Sequence, residues 1–251
     1  MPSFTHDGVE IVYLDEGAGD PIVLVHGFAS TKEVNWVQPG WVSTLTRDNR
    51  RVIALDNRGH GQSAKLYDPA DYHTDLMAGD VAALIAHLGL KHADVMGYSL
   101  GARISAVLAA RHPESVRSLI LGGVGIKLVE VAGLHRDVAR ALEAPSIADV
   151  TDPMGKAFRL FAEQTKSDLR ALAACLRGSR QALARGDLAS VQAPTLVAAG
   201  TRDDIAGSPH ELAALFPNGR GLDITGRDHM VAVGDRLYKA GVLAFLKERG
   251  A

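Results

Sequence analysis

The stretch Gly97-Tyr98-Ser99-Leu100-Gly101 decides the fold class of this chain. It follows residues 94–96, which belong to a predicted strand, and precedes residues 102–111, which have the pattern of a helix. A serine between two glycines at a junction of strand and helix is typical of a sharp turn that exposes its hydroxyl. The glycines let neighbouring backbone approach where a Cβ would clash. An ordinary glycine-rich turn is the alternative interpretation.

Outward from this stretch, short apolar β-forming runs alternate with helical patterns. Met77, Val81, Leu84 and Ile85 have helical spacing, and Thr74 or Asp75 is predicted to cap the N-terminus of this helix, with Gly89 at its C-terminal cap. Further helices are predicted around residues 211–215 and 235–247. The other predicted strands cover residues 9–14, 22–25, 51–55, 118–121, 195–199 and 222–224. This alternation predicts an α/β fold, in which a mostly parallel sheet has helices on both faces.

One long segment interrupts the alternation. Residues 125–190 contain helical patterns and no convincing strand, so they are predicted to form a helical lid inserted between two strands. The expected organisation is therefore a first core segment at 1–124, the lid at 125–190, and a second core segment at 191–251.

Composition narrows the classes of function. The 251 residues are 47% hydrophobic and 22% charged with a net charge of −2, which is ordinary for a folded protein and shows no basic stripe for nucleic acid. Cys175 is the single cysteine, so no internal disulfide is possible. No signal-peptide pattern and no apolar run of about 18 residues is visible. We expect a cytoplasmic protein that binds neither nucleic acid nor membrane.

Candidates for chemistry follow the predicted strands in a defined order. A serine hydroxyl is a poor nucleophile unless a base takes its proton. Asp203 and Asp204 follow the strand at 195–199, and His229 follows the strand at 222–224. Since carboxyl ends of parallel strands share one edge, these groups are expected beside Ser99, with either aspartate as the acid.

With these motifs the chain resembles the α/β-hydrolase superfamily of serine hydrolases over nearly its whole length. Within that superfamily it resembles small esterases and lactonases, including 3-oxoadipate enol-lactonases. The resemblance rests on His26-Gly27-Phe28, Asp56-x-Arg58-Gly59-x-Gly61-x-Ser63, Gly97-x-Ser99-x-Gly101, Gly200-x-x-Asp203 and Gly226-x-x-His229.

The resemblance implies a role for each matching residue. Ser99 is the expected nucleophile, His229 the general base and Asp203 the acid, with Asp204 as the rival for the last role. The backbone N–H groups of Phe28 and Leu100 are the expected oxyanion hole. For Asp56, Arg58 and Ser63 a structural role in the loop beside the site is favoured over a catalytic one.

The implied activity is cleavage of a small-molecule ester or lactone through an acyl-enzyme, with no cofactor and no metal. Two alternatives stay open: a C–C bond hydrolase or perhydrolase with the same residues, and a slow-turnover ligand receptor on the same fold. The sequence specifies neither the substrate nor the oligomeric state.

Overall fold

The strands of this chain form one sheet in the computed structural model, which describes residues 1–130, 136–179 and 181–248. Eight strands lie in these ranges. They are β1 Ser3–His6, β2 Val9–Glu16, β3 Asp20–Val25, β4 Arg50–Leu55, β5 Ala93–Tyr98, β6 Val116–Gly122, β7 Thr195–Gly200 and β8 Gly219–Ile224.

The described helices lie between and beside these strands. The α-helices are α1 Trp41–Arg47, α2 Thr74–His87, α3 Leu100–Arg111, α4 Lys127–Glu130, α5 Arg136–Glu143, α6 Pro153–Gln164, α7 Leu169–Gly178, α8 Arg185–Ala189, α9 Pro209–Ala213 and α10 Arg236–Glu248. A π-helical turn covers Glu33–Val37, and short 3₁₀ helices cover Pro69–Tyr72, Pro113–Ser115, Ile147–Asp149 and Ala232–Gly234.

The sheet has the order β1-β2-β4-β3-β5-β6-β7-β8. Strands β3 to β8 are parallel to one another, whereas β2 pairs antiparallel with both β1 and β4. The predicted α/β fold with a mostly parallel sheet is confirmed. Because β5, β7 and β8 are parallel, their carboxyl ends meet at one edge of the sheet, where the candidate residues follow them.

Strand β1 was not predicted from the sequence. It pairs antiparallel with β2 through a tight turn at Asp7 and Gly8, both of which have positive φ values, 47° and 78°. An Asp-Gly pair between two β-forming runs is a strong hairpin signal, and it could have revealed this strand.

Apolar side chains pack on both faces of the sheet. In β3, Val23 and Val25 join the core under α2, α3 and α9, whereas Ile22 and Leu24 join the core under α1 and α10. A strand that is apolar on both sides is typical of the centre of a parallel sheet. Helices therefore cover the sheet on both faces.

Helix α2 differs from its prediction at the N-terminus. His73, rather than Thr74 or Asp75, is the N-cap, and its ring nitrogen lies 3.3 Å from the backbone nitrogen of Asp75. At the other end Gly89 has φ of 67°, one residue beyond the cap at Leu88, as expected for a terminating glycine.

In the part of the chain that the structure describes, the α-helices α4 to α8 lie between β6 and β7. The described part of 125–190 contains no strand, while residues 131–135 and 180 of the predicted lid lie outside the described residues. The division of the chain at residues 124 and 190 stays a prediction. None of the helices in the described ranges has the length and apolar character required to cross a bilayer.

Candidate active site

Ser99 occupies a strained turn between β5 and α3. Its φ of 54° and ψ of −113° are rare for a residue with a side chain and cost about 1–3 kcal/mol. A Cβ at Gly97 would lie 2.2 Å from the carbonyl oxygen of Gly101, and a Cβ at Gly101 would lie 1.9 Å from that of Val25. Both glycines are therefore required for the close packing that fixes the turn.

Three side chains from distant parts of the chain meet beside this turn. His229 Nε2 lies 3.0 Å from Ser99 Oγ, and His229 Nδ1 lies 2.8 Å from Asp203 Oδ2. Because a carboxylate can only accept, Nδ1 donates to Asp203 and Nε2 is left to accept from the Ser99 hydroxyl. A base in contact with a hydroxyl and oriented by a carboxylate can activate that hydroxyl as a nucleophile.

The two neighbouring aspartates have different surroundings. Asp203 is 6% exposed, and its second carboxylate oxygen accepts the N–H groups of Ile205 and Ala206, both at 3.0 Å. Asp204 is exposed, and its backbone carbonyl accepts Lys127 Nζ at 2.6 Å. Asp203 is therefore the aspartate in contact with His229.

The loop after β3 passes directly beside the nucleophile candidate. A Cβ at Gly27 would lie 3.4 Å from Ser99 Cβ and 3.3 Å from the Tyr98 carbonyl oxygen, so this loop passes close to the turn. Within the described residues no acceptor is found for the N–H of Phe28, and the N–H of Leu100 belongs to the first turn of α3, which has no intrahelical acceptor. Ala29 has φ of 57°, a strained value that this loop maintains.

A buried ion pair holds this loop against the loop after β4. The Asp56 carboxylate accepts the Lys32 ammonium at 2.7 Å, the Lys32 N–H at 2.9 Å and the Gln62 N–H at 2.8 Å. Burial alone would raise the pKa of Asp56, but the charge of His26 and the hydrogen bonds from Gln62 and Lys32 outweigh it and lower that pKa. The sequence does not mark Lys32, because a fully buried lysine looks like any polar loop residue.

Arg58 and Ser63 have structural partners as well. Arg58 donates to both oxygens of the buried Asp80 carboxylate, at 2.7 and 2.8 Å. Ser63 donates its hydroxyl to the Asp56 carbonyl at 2.6 Å and accepts the Val12 N–H at 2.9 Å. These contacts agree with a role in loop structure rather than in chemistry.

Two other histidines, His26 and His60, are fully buried near this loop. Burial lowers the pKa of His26, and it lowers the pKa of His60 to about 3, so the His60 ring is neutral at ordinary pH. His26 Nε2 accepts the Asn57 N–H at 3.0 Å, which ties the two loops together. Across the described ranges, no group of three or more His, Cys, Asp or Glu side chains is arranged to hold a metal ion.

Sequence reasoning overlooked Tyr98, the residue before Ser99. Its hydroxyl donates to the backbone carbonyl of His229 at 2.7 Å, and its ring lies 5.7 Å from the imidazole of His229. Nothing in the local sequence marks this contact, since Tyr98 and His229 are 131 positions apart along the chain.

Comparison with known proteins agrees with this architecture. The family profile described as "alpha/beta hydrolase fold" matches residues 20–144. A 2-hydroxy-6-oxo-2,4-heptadienoate hydrolase of Pseudomonas putida F1 is 31% identical over 83% of this chain and 75% of its own length. The chain therefore belongs to the α/β-hydrolase family.

Further relatives carry different names. The dihydrolipoyllysine-residue acetyltransferase component of the acetoin cleaving system of Pseudomonas putida is 33% identical over 92% of this chain. The chain spans only 42% to 64% of the length of that protein and of three other curated relatives. The crystal structure of the enol-lactonase from Burkholderia xenovorans LB400 superposes with a TM-score of 0.81 at 22% identity, covering 98% of this chain and all of that one. That likeness concerns the fold.

Proposed function

We propose that this protein hydrolyses a small carboxylic ester or lactone through an acyl-enzyme formed on Ser99. The observation that carries the proposal is the contact of Ser99 Oγ with His229 Nε2 at 3.0 Å, together with the contact of His229 Nδ1 with Asp203 at 2.8 Å. In this proposal Ser99 is the nucleophile, His229 the general base and acid, and Asp203 the group that orients the imidazole.

In the first half of the reaction, Ser99 Oγ bonds to the substrate carbonyl carbon while its proton moves to His229 Nε2. The carbonyl electron pair moves onto oxygen. When this intermediate collapses, the C–O bond to the alcohol, or to the ring oxygen of a lactone, breaks. The departing oxygen takes the proton from His229, which leaves an ester of Ser99.

In the second half, water attacks the acyl group and gives its proton to His229. The bond to Ser99 Oγ then breaks and the serine recovers that proton, so the carboxylic acid leaves and the enzyme is regenerated. The hydrogen bond from His229 Nδ1–H to the Asp203 carboxylate stabilises the imidazolium in both halves of the reaction. These steps require no cofactor.

The N–H groups of Phe28 and Leu100 are the proposed oxyanion hole. Both N–H groups belong to backbone beside Ser99. Within the described residues, neither donates a hydrogen bond that would compete with binding of the oxyanion. Loss of one such donor generally costs about 3–4 kcal/mol of transition-state stabilisation. The buried ion pair of Lys32 and Asp56 holds the loop that contains Phe28 in this position.

We propose that the helical segment at 125–190 selects the substrate, as a lid over the site. Two contacts support this assignment. Phe158 of α6 lies 5.9 Å from the ring of Phe28, and the Thr165 hydroxyl donates to the carbonyl of Ala29 at 3.0 Å. The segment therefore touches the loop that carries the proposed oxyanion donor, so changes in it would alter the surroundings of Phe28.

Ester turnover by the purified protein tests this function. We expect hydrolysis of p-nitrophenyl acetate and of at least one small lactone, and loss of both activities in Ser99→Ala. This variant should keep its circular dichroism spectrum, because the half-buried Ser99 side chain contributes little to the core. Near wild-type turnover by Ser99→Ala would overturn the assignment. Absence of labelling by a fluorophosphonate probe would favour a pure binding module with a dead site.

A C–C bond hydrolase is the second candidate, and one relative favours it. The compound named in 2-hydroxy-6-oxo-2,4-heptadienoate hydrolase contains keto and carboxylate groups and no ester bond, so its hydrolysis breaks a carbon–carbon bond. The same serine and histidine could serve that reaction. A substrate panel that includes such a dienoate beside esters and lactones separates the two candidates by their kcat/KM values.

A further inference from the structure

The segment that carries His229 is mostly exposed. Thr225 to Asp228 and Met230 to Val231 all face solvent, whereas His229 itself is 8% exposed. Exposed loop backbone is generally more mobile than the elements that it connects. The position of the imidazole therefore depends on the few buried contacts that hold this residue.

One of these contacts comes from Tyr98, which is itself 5% exposed. Its hydroxyl donates to the backbone carbonyl of His229 at 2.7 Å, in a bond that is shielded from water. Because Tyr98 is bonded to Ser99 along the chain, a single residue connects the strained turn of the serine to the backbone of the histidine.

The sheet is built to accommodate the Tyr98 ring. A Cβ at Gly123 would lie 2.7 Å from this ring, and a Cβ at Gly122 would lie 2.9 Å from it. The Gly122-Gly123 pair at the end of β6 therefore leaves the space through which Tyr98 reaches His229. Burial and the nearby charge of Asp203 raise the pKa of Tyr98 well above its usual value, so its hydroxyl remains a donor.

We propose that Tyr98 is a positioning residue, which holds the backbone of His229 so that the imidazole stays within reach of Ser99. The inference rests on the proposed function, because it concerns the same serine and histidine. Tyr98 acts through His229 and contacts no reacting atom in this role. Loss of its hydroxyl should therefore reduce the rate of chemistry more than the binding of substrate.

Tyr98→Phe tests the inference, and Tyr238→Phe is its matched control. Tyr238 is also fully buried, and its ring lies 6.4 Å from that of Tyr98, but its hydroxyl has no hydrogen-bond partner within the described residues. Both variants remove one buried oxygen from the same cluster. Only Y98F removes a hydrogen bond to the backbone of His229.

Each variant is assayed with p-nitrophenyl acetate and with a fluorophosphonate probe. For Y98F we expect kcat to fall about tenfold or more, since small displacements of reacting groups are costly, while KM stays within about twofold. The rate constant of labelling should fall in parallel, and its end point should remain one label per chain. For Y238F both rates should match those of the wild type.

The number of labels per chain at the end point measures the fraction of protein that is folded. Unfolding of a variant is therefore not mistaken for a lower rate of chemistry. A wild-type kcat in Y98F would overturn the inference, and so would an equal loss in Y238F. A Y98F protein without any folded fraction would overturn it too, because the hydroxyl would then serve the whole fold. Ester turnover in Ser99→Ala would instead refute the proposed function, which separates the two failures.

Discussion

The buried pair of Lys32 and Asp56 allows a quantitative test of how the loop beside Ser99 is held. Both side chains are fully buried, and the ammonium lies 2.7 Å from the carboxylate. Lys32→Met removes the ammonium, keeps most of the side-chain volume, and leaves the Asp56 carboxylate buried without its cation. Removal of one partner of a buried pair generally costs about 3–5 kcal/mol of the free energy of unfolding.

The structure indicates that Lys32→Met reduces the free energy of unfolding by an amount near the lower end of that range. Asp56 still accepts the backbone N–H groups of Lys32 and Gln62 in the variant, so its charge keeps two donors. We therefore expect Lys32→Met to lower the free energy of unfolding by about 3 kcal/mol, out of about 5–15 kcal/mol for a typical domain. Combined with Asp56→Asn, the loss should be smaller than the sum of the single losses by about 2 kcal/mol.

Urea unfolding of the wild type, both single variants and the double variant measures these values. Arg177→Met is the control, because Arg177 and Glu143 form an exposed pair whose removal should cost less than about 1 kcal/mol. Ester turnover should also fall in Lys32→Met, since the loop that contains Phe28 is then no longer held by the ion pair with Asp56. A cost below about 1 kcal/mol, or strictly additive losses, would refute the reasoning.

Three further predictions address the acid, the buried histidine and the turn. Asp203→Asn should lower kcat for p-nitrophenyl acetate by at least about 1,000-fold, whereas Asp204→Asn should leave kcat within about threefold, and equal effects would contradict the assignment of the acid. The pKa of His60 is about 3 in the folded protein but about 6.5 in the unfolded chain, so only the unfolded chain gains this proton as pH falls from 7 to 5, and stability should drop by about 2 kcal/mol. His60→Asn should remove this part of the pH dependence in urea unfolding, and an unchanged dependence would argue against a buried neutral ring. Gly101→Ala should sharply lower the urea midpoint, because its Cβ would lie 1.9 Å from a carbonyl oxygen of β3, while Gly186→Ala, which meets nothing within 4 Å, should leave the midpoint nearly unchanged.

Local pattern alone determined the α/β architecture. The apolar runs that became β3 to β8, and the helical spacing in α2, are properties of neighbouring residues, and a mostly parallel sheet follows from their alternation. The junction of strand and helix at Ser99 is local as well, since the glycines at 97 and 101 mark it directly. Because parallel strands end at one edge, even the meeting of Ser99, Asp203 and His229 could be predicted as a set.

Only the tertiary structure decided which groups touch. Asp203 and Asp204 both follow β7, and although the resemblance favoured Asp203, the burial of its carboxylate and the exposure of Asp204 depend on how the loop after β7 packs. The burial of Lys32 against Asp56, and the reach of Tyr98 to the carbonyl of His229, likewise join segments that are far apart along the chain. Periodicity reports which face of an element is apolar, but hydrogen-bond partners depend on side-chain direction after packing, and that information exists only in three dimensions.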